Sequence, residues 1–278
     1  MPHKRDLLDV PNGTRNPIDA AVSGRDVVTM ATVTEAIRHN EVHMAFQPVI
    51  QARAPSTFAF YEGLLRVLDA AGRVIPAAQF IARAEQTELG RELDCIALQR
   101  GFKVLSEFRQ LRLSINMSAR SIGYRKWMRV LDRGLRDNPD TGERLILEIS
   151  EDSAMIVPEL VTRFMGDMQA RGVSFALDDY GAGSIAIRHF RQFLFDAVKI
   201  DGQFVRDITK NPGNQLVVTA LMRVAREFDI FTVAESVETE VDAAFLTDAV
   251  IDCLQGYRFG APKIAMPWLP ENTSRTGT

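Results

Sequence analysis

The sequence is poor in the residues that form covalent cross-links or hold transition metals. It has two cysteines and four histidines among 278 residues, and neither type recurs at the short spacing of a zinc site. Cys95 and Cys253 each stand in an apolar segment, so we expect reduced thiols in the core of a cytoplasmic protein rather than a disulfide. Any metal bound by this chain is therefore expected to be a hard cation with oxygen ligands.

Long hydrophobic runs and an excess of positive charge are also lacking. No stretch approaches the roughly 18 apolar residues of a membrane-spanning helix, and the N-terminus has no apolar signal core. The formal net charge is −3 and the pI is about 5.9, which gives no electrostatic basis for binding a nucleic-acid polymer or an anionic membrane. The chain is 46% hydrophobic and 25% charged, a composition typical of a globular protein.

What is present is a repeated pattern of short apolar strands and amphipathic helices. It occupies residues 29–266, between an N-terminal tail or linker (1–28) and a C-terminal tail (267–278) that lack a hydrophobic period. Eight strands that alternate with helices predict a TIM-like (β/α)8 barrel, an α/β fold of roughly 250 residues. Residues 51–55 form too short a link for a parallel crossover, so one antiparallel strand is expected. A doubly wound open sheet is the alternative, but no Gly-rich phosphate loop follows the first strand.

Polar side chains stand at the end of nearly every predicted strand, and in a barrel these ends meet at one mouth. The oxygen donors among them are Glu62, Asn116, Glu148, Asp178, Asp179 and Glu235. Five carboxylates held together need positive charge, and such a set suits two Mg²⁺ or Mn²⁺ ions. Two such ions roughly 4 Å apart activate water for phosphoryl chemistry. Lys199 would place a positive charge beside that water, and Arg66 would hold a phosphate.

Each of these residues, taken alone, also has a structural explanation. The cap, turn or strand-end explanation applies to Asp178, Asp179, Lys199, Asn116 with its neighbour Ser118, and Gln255. Glu62 lies inside an apolar run and is harder to explain in this way, because an isolated buried carboxylate costs several kcal/mol. Six oxygen donors at successive strand ends favour a common site.

The motifs of the chain resemble those of the EAL-domain cyclic di-GMP phosphodiesterases. Glu62-Gly63-Leu64-Leu65-Arg66 is similar to the family signature Glu-Ala-Leu-x-Arg. The other similar segments follow the family's order over residues 31–264, and they are Phe46-Gln47-Pro48-Val49, Leu113-Ser114-Ile115-Asn116-Met117-Ser118, Leu147-Glu148-Ile149-Ser150-Glu151, Asp178-Asp179-Tyr180-Gly181, Val198-Lys199-Ile200-Asp201, Ala234-Glu235-Ser236-Val237-Glu238-Thr239 and Gln255-Gly256-Tyr257.

The resemblance implies a homodimeric barrel, controlled by a regulatory domain or protein partner, that hydrolyses cyclic di-GMP to linear pGpG by two-metal activation of water. One metal would be held by Glu62, Asn116, Glu148 and Asp178, and the other by Asp178, Asp179 and Glu235. Glu62, Lys199 and Glu235 would be catalytic, with Lys199 beside the nucleophilic water. Gln47, Leu65, Arg66 and Gln255 would bind the dinucleotide, with Glu151 and Glu238 in support.

The chain departs from the family pattern at three places. Gly63 replaces the signature alanine, and Ser236 stands where glycine is usual, which strains the backbone if that turn needs a positive φ. Ser184-Ile185-Ala186 replaces a segment that is commonly Tyr-Ser-Ser. In the family this segment belongs to a loop that lies next to the aspartate pair and to the dimer contact. A residue that matches Glu151 holds that loop in place.

Two alternatives to an active phosphodiesterase remain open. One is a catalytically weak receptor that binds cyclic di-GMP and signals to a partner, and the altered loop favours it. The other is an unrelated barrel that uses Mg²⁺ on an enolate or a sugar phosphate. The metal carboxylates, which degenerate receptors usually lose, are all present, and this favours catalysis. The full order of motifs argues against the unrelated barrel.

Overall fold

The computed structural model describes residues 17–183 and 190–268. The strands are β1 (Val42–Gln51), β2 (Ala54–Leu68), β3 (Val74–Ile75), β4 (Leu113–Asn116), β5 (Leu145–Ser150), β6 (Ser174–Tyr180), β7 (Ala197–Ile200), β8 (Phe231–Ala234) and β9 (Cys253–Gln255). The α-helices are α1 (Pro17–Arg38), α2 (Ile81–Ala84), α3 (Glu88–Glu107), α4 (Arg125–Asp137), α5 (Glu151–Ala154), α6 (Pro158–Gln169), α7 (Gly202–Val205), α8 (Pro212–Glu227) and α9 (Glu240–Asp248). Short 3-10 turns cover Ala77–Gln79, Ala119–Ser121, Pro139–Arg144 and Ile208–Lys210.

The sheet closes into a barrel. Its strand order is β1-β9-β8-β7-β6-β5-β4-β2-β3, and β1 also pairs with β2, so eight strands form a ring with the two-residue β3 outside it. Strand β1 pairs antiparallel with both of its neighbours in the ring, β2 and β9, whereas the other ring pairs are parallel. The predicted TIM-like (β/α)8 barrel with one antiparallel strand is confirmed.

The strand register brings polar residues to one level of the barrel. Gln47 of β1 lies opposite Glu62 of β2, and Asn116 of β4 lies beside Glu148 of β5. Gln255 of β9 is paired two residues along β1 from Gln47. Since side chains at alternate positions of a strand share a face, these residues can point into the same end of the barrel.

An apolar layer between the strands and the helices supports this polar mouth. The alternate residues Leu145, Leu147 and Ile149 of β5 are almost fully buried. Helix α4 buries Trp127 and Leu131, which are one helical turn apart, on the face that meets the barrel. The Trp127 ring lies 5.7 Å from that of Phe164, and the network continues inward to Phe175. Such interlocked packing holds the strand ends in a fixed arrangement.

Ordered structure reaches into both predicted tails. Helix α1 begins at Pro17, inside the segment predicted to be a tail or linker, and Val33 near its end is fully buried against a small cluster that includes Val67. At the other end, the Trp268 ring lies 4.9 Å from Phe46 and 5.0 Å from Tyr61. These contacts add apolar burial that composition alone does not predict. The barrel boundaries of 29 and 266 remain predictions.

The described residues include both cysteines. Both cysteines are free, and burial raises the pKa of the Cys95 thiol to about 11 and that of Cys253 to about 12. Over residues 17–183 and 190–268, no helix is long and apolar enough to cross a membrane. The sequence pattern also predicts a short helix near residues 185–192, and most of this segment lies outside the described residues.

Candidate active site

The carboxylate pair Asp178-Asp179 lies near the end of strand β6, which continues to Tyr180. The pairing between β6 and β7 is interrupted between Leu177 and Tyr180, and Asp179 has a φ of 57°. An interruption of this kind kinks a strand and turns its side chains from strict alternation. It leaves Asp178 directed towards β7, where Lys199 lies, while Asp179 is exposed at the mouth.

The Lys199 ammonium group is the centre of the site. Its Nζ lies 2.7 Å from Glu235 Oε1, 2.8 Å from Glu148 Oε2, 3.1 Å from Glu62 Oε2 and 3.3 Å from Asp178 Oδ1. The lysine side chain is only 1% exposed. Acids carried by β2, β5, β6 and the residue after β8 thus surround one buried cation, as the convergence of the strands at one mouth predicts. The simple strand-end explanation of Lys199 is not sufficient, because a buried charge in such a place needs these partners.

Amide side chains hold Glu62 in position. Asn116 Nδ2 donates to Glu62 Oε1 at 2.9 Å, and Gln255 Nε2 donates to Glu62 Oε2 at 2.6 Å and to Gln47 Oε1 at 3.3 Å. The cap after β4 is instead provided by Ser118, which accepts a hydrogen bond from the Arg120 backbone. These bonds bring Asn116 and Gln255 to Glu62 directly, and Gln47 through Gln255.

The pKa values show how crowded the acids are without added cations. Burial and the neighbouring Glu62 charge raise the pKa of Glu148 well above its usual value. Burial, together with the charges of Asp178 and Glu62, raises the pKa of Glu235 to about 8. For Glu62 itself, burial is outweighed by Lys199 and the two amide donors, and the pKa is lowered. The carboxylates in turn outweigh burial at Lys199 and raise its pKa well above the usual value.

Asp179 forms a second acidic pair, with Asp201. Partial desolvation of the carboxyl group, the Asp178 charge and a hydrogen bond shared with Asp201 raise the pKa of Asp179 to about 6, although the residue as a whole is exposed. Asp201 also accepts a hydrogen bond from the Gln203 backbone at 2.6 Å and so begins helix α7. This arrangement leaves Asp179 exposed at the mouth.

The donor set fits hard divalent cations. The six predicted ligands are all oxygen donors, and their five carboxylates together with Lys199 leave a formal charge of −4, which two divalent ions would balance. Buried oxygens Glu148 Oε1 and Asp178 Oδ1 have no hydrogen-bond partner. Among the described residues, no three acidic, histidine or cysteine side chains enclose a ready-made metal position. Four of the acids are turned to Lys199 Nζ instead.

A cavity of about 350 Å³ opens onto this cluster. The sequence-predicted residues that line it are Gln47, Glu62, Arg66, Glu235, Glu238 and Gln255. Leu64 lines it as well, whereas Leu65, which the sequence assigns to dinucleotide contact, packs against the hydrophobic core. The alternation of β2 explains the difference, since positions 62, 64 and 66 share one face. Arg206 and Tyr257 also line the cavity, and the sequence alone assigns neither to the site.

The residue predicted to pin the neighbouring loop does contact its described part. Glu151 Oε1 accepts a hydrogen bond from the Gly181 backbone at 2.9 Å. Gly183 passes so near that a Cβ placed there would lie 2.5 Å from Glu151 Oε2. The altered residues Ser184-Ile185-Ala186 lie outside the described residues.

The other two departures have structural counterparts. Ser236 has a φ of 56°, so the turn after Glu235 does require the left-handed conformation that glycine adopts freely. At Gly63, a Cβ would lie 2.9 Å from Ile115 Cδ1 and 3.0 Å from Met44 Sδ. These two side chains fill the space that the alanine methyl of the family signature would need.

Comparison with known proteins agrees with this arrangement. The profile of the EAL domain matches residues 30–262. Cyclic di-GMP phosphodiesterase PdeB of Shewanella oneidensis is 32% identical over 235 residues, which are 83% of this chain and 28% of PdeB. The chain therefore spans under a third of the length of this curated relative.

Solved structures share the fold. The EAL domain of FimX from Pseudomonas aeruginosa, bound to c-di-GMP, is 26% identical with a TM-score of 0.77, and the match covers 86% of this chain and 98% of that one. BlrP1 of Klebsiella pneumoniae, solved as a complex with manganese and cyclic di-GMP, has a TM-score of 0.69 over 80% of this chain and 56% of that one. At 23% identity, BlrP1 supports the fold alone.

Proposed function

Because the chain belongs to the EAL domain family, we propose that it hydrolyses cyclic di-GMP to linear pGpG with the help of two Mg²⁺ or Mn²⁺ ions. The observation that carries the proposal is the cluster of acids around Lys199 at the base of a cavity that also holds Arg66. A cavity with acids at its base and a guanidinium in its wall suits a phosphodiester that is bound together with divalent cations. The activity of PdeB by name supports the same substrate.

The metal ligands would divide into two overlapping sets. Glu62, Asn116, Glu148 and Asp178 would hold one ion, and Asp178, Asp179 and Glu235 the other. When bound, such ions polarise a phosphate and lower the pKa of water. Glu148 Oε1, which has no hydrogen-bond partner, is available for this role, and Asp178 Oδ1 makes only its 3.3 Å ion pair with Lys199. Because their pKa is raised, Glu148 and Glu235 keep protons that would leave as the ions bind.

The remaining residues of the chain would bind and orient the substrate. Arg66 would grip a phosphate through its paired donors, and Gln47 and Gln255 would keep Glu62 aligned at the reacting phosphate. Lys199 would hold the acids together and stabilise negative charge as it grows on the phosphate. Water would add to that phosphorus while one P–O bond breaks, which yields a linear dinucleotide with a 5′-phosphate and a 3′-hydroxyl.

Several parts of the proposal rest on the resemblance. Glu238 would support the site from the cavity wall, and Glu151 would do so through the loop that it contacts. Leu65 would act from behind this wall rather than from within the cavity. The homodimer and the regulatory domain or partner protein also remain predictions.

The test is turnover by the purified protein. With Mg²⁺ or Mn²⁺, it is expected to convert cyclic di-GMP to pGpG, and Glu62→Gln is expected to abolish turnover. Glutamine is preferable to alanine here because Glu62 is 5% exposed and holds three hydrogen-bond donors. Binding without cleavage under either metal would favour the receptor alternative. Full activity of Glu62→Gln would contradict the proposed metal site.

A further inference from the structure

Arg206 carries a guanidinium group at the rim of the cavity, and the proposed reaction gives this group no role. It follows helix α7, is exposed, and lines the cavity together with Glu235, Ser236 and Tyr257. Its Nη2 donates a hydrogen bond to Ser236 Oγ at 3.1 Å. No carboxylate in the described part of the chain forms an ion pair with it. Among the described residues, the side chain that orients this cation is thus a neutral hydroxyl.

The contact depends on two unusual residue choices. Ser236 adopts a φ of 56°, where glycine is favoured over serine. Gly202 makes room for the serine side chain, since a Cβ on Gly202 would lie 2.3 Å from Ser236 Oγ and 2.7 Å from Ser236 Cβ. Serine therefore occupies a strained position inside a space that only glycine at 202 leaves open. The hydroxyl group that serine places there accepts the hydrogen bond from Arg206.

The cavity consequently has two guanidinium groups in its wall. Arg66 extends from β2, with its Nη1 bonded to the Leu65 carbonyl at 3.0 Å, and Arg206 comes from the far side of strands β1 and β9. Neither is neutralised by a carboxylate within the described ranges. A cyclic dinucleotide carries two phosphates. If one lies at the metal cluster, the other still needs positive charge to enter a cavity whose base is acidic.

We propose that Arg206, positioned by Ser236, is a substrate-binding residue that contacts the phosphate of cyclic di-GMP that is not cleaved. The proposal rests on the proposed function and adds a specificity contact to it. Arg206 makes the same contact before and during the reaction, because the phosphate it holds does not change. Its loss should therefore raise KM and leave kcat nearly the same.

The experiment compares steady-state kinetics of the full chain with cyclic di-GMP and Mn²⁺. Arg206→Ala is expected to raise KM about tenfold or more with less than a threefold change in kcat, since a hydrogen bond to a charged group is of that strength. Arg206→Lys keeps a cation that a phosphate accepts and should recover most of the affinity. Ser236→Gly should raise KM about threefold without lowering the thermal midpoint, because it also relieves the positive φ. Arg226→Ala removes an exposed arginine at the opposite end of β8 and is the matched control.

Each outcome decides one point. An unchanged KM in Arg206→Ala, or an equal rise in Arg226→Ala, would overturn the role of Arg206. A Ser236→Gly variant with the wild-type KM would overturn the positioning by serine. If Arg206→Lys were as weak as Arg206→Ala, the contact would be to a flat guanine edge and not to a phosphate. Failure of the wild-type protein to bind or cleave cyclic di-GMP would show before any substitution, and would overturn the proposed function instead.

Discussion

Replacing Lys199 with methionine tests whether the acids depend on a central cation. The side chain contacts four carboxylates and is 1% exposed, so its removal leaves several buried negative charges without a partner. Breaking a buried ion pair in this way typically costs about 3–5 kcal/mol. At about 2–4 °C per kcal/mol for a chain of this size, the thermal midpoint should fall by about 6–20 °C.

The assay is thermal unfolding in EDTA and again in excess Mg²⁺. In EDTA, Lys199→Met should show the full loss, and the loss should be larger at pH 8 than at pH 5, because the carboxylates can take up protons at the lower pH. In Mg²⁺ the loss should shrink, because the ions supply the missing positive charge. Lys210→Met is the control, since Lys210 is exposed and paired with Asp207 at 2.6 Å; its midpoint should hardly change. A Lys199→Met variant as stable as this control in EDTA would refute the reasoning.

Three further predictions concern pH and packing. The pKa of Glu235 is about 8 against a usual 4.5, so between these pH values the metal-free folded state keeps a proton that the unfolded state loses. The free energy of unfolding, measured by urea titration in EDTA, should therefore fall as pH rises through this range. Glu235→Gln should remove most of this pH dependence. Burial raises the pKa of Asp94 from 3.8 to about 6. In the same titrations, the free energy of unfolding should fall by up to about 3 kcal/mol as pH rises over this interval, and Asp94→Asn should abolish that fall. Gly63→Ala should cost less than about 1.5 kcal/mol, because the atoms in its way are the flexible ends of Ile115 and Met44; a larger fall in the urea midpoint would show that these ends cannot move.

The barrel and most of its polar mouth could be predicted from the sequence because both follow from simple periods. Apolar strands between amphipathic helices predict the ring, and the short link after β1 predicts its antiparallel strand. A carboxylate at the end of a predicted strand can be assigned to the mouth without knowing how the other strands are arranged, since closure of the ring brings the strand ends together. The structure brings Glu62, Glu148 and Glu235 together around Lys199, as this reasoning expects.

The errors come from features that depend on contacts distant in sequence. The interruption of the β6 ladder, which leaves Asp178 directed towards Lys199 and Asp179 at the mouth, depends on how β7 pairs. Leu65 and Leu64 are chemically alike, and only the face of β2 that meets the core separates them. Arg206 has no motif to mark it, because an exposed arginine beside a short helix is common until Ser236 is brought next to it. The tail residue Trp268 likewise finds its partners only in the folded barrel.

The most direct test of the central claim is a count of bound manganese. Equilibrium dialysis of the purified chain with Mn²⁺ and cyclic di-GMP measures how many ions the clustered acids bind. The experiment is run with the wild type and with Asp178→Asn. Two Mn²⁺ per wild-type chain, and fewer in the variant whose carboxylate is shared by both proposed ligand sets, is the expected result. A wild-type chain that binds no Mn²⁺, or an Asp178→Asn variant that still binds two, would contradict the account.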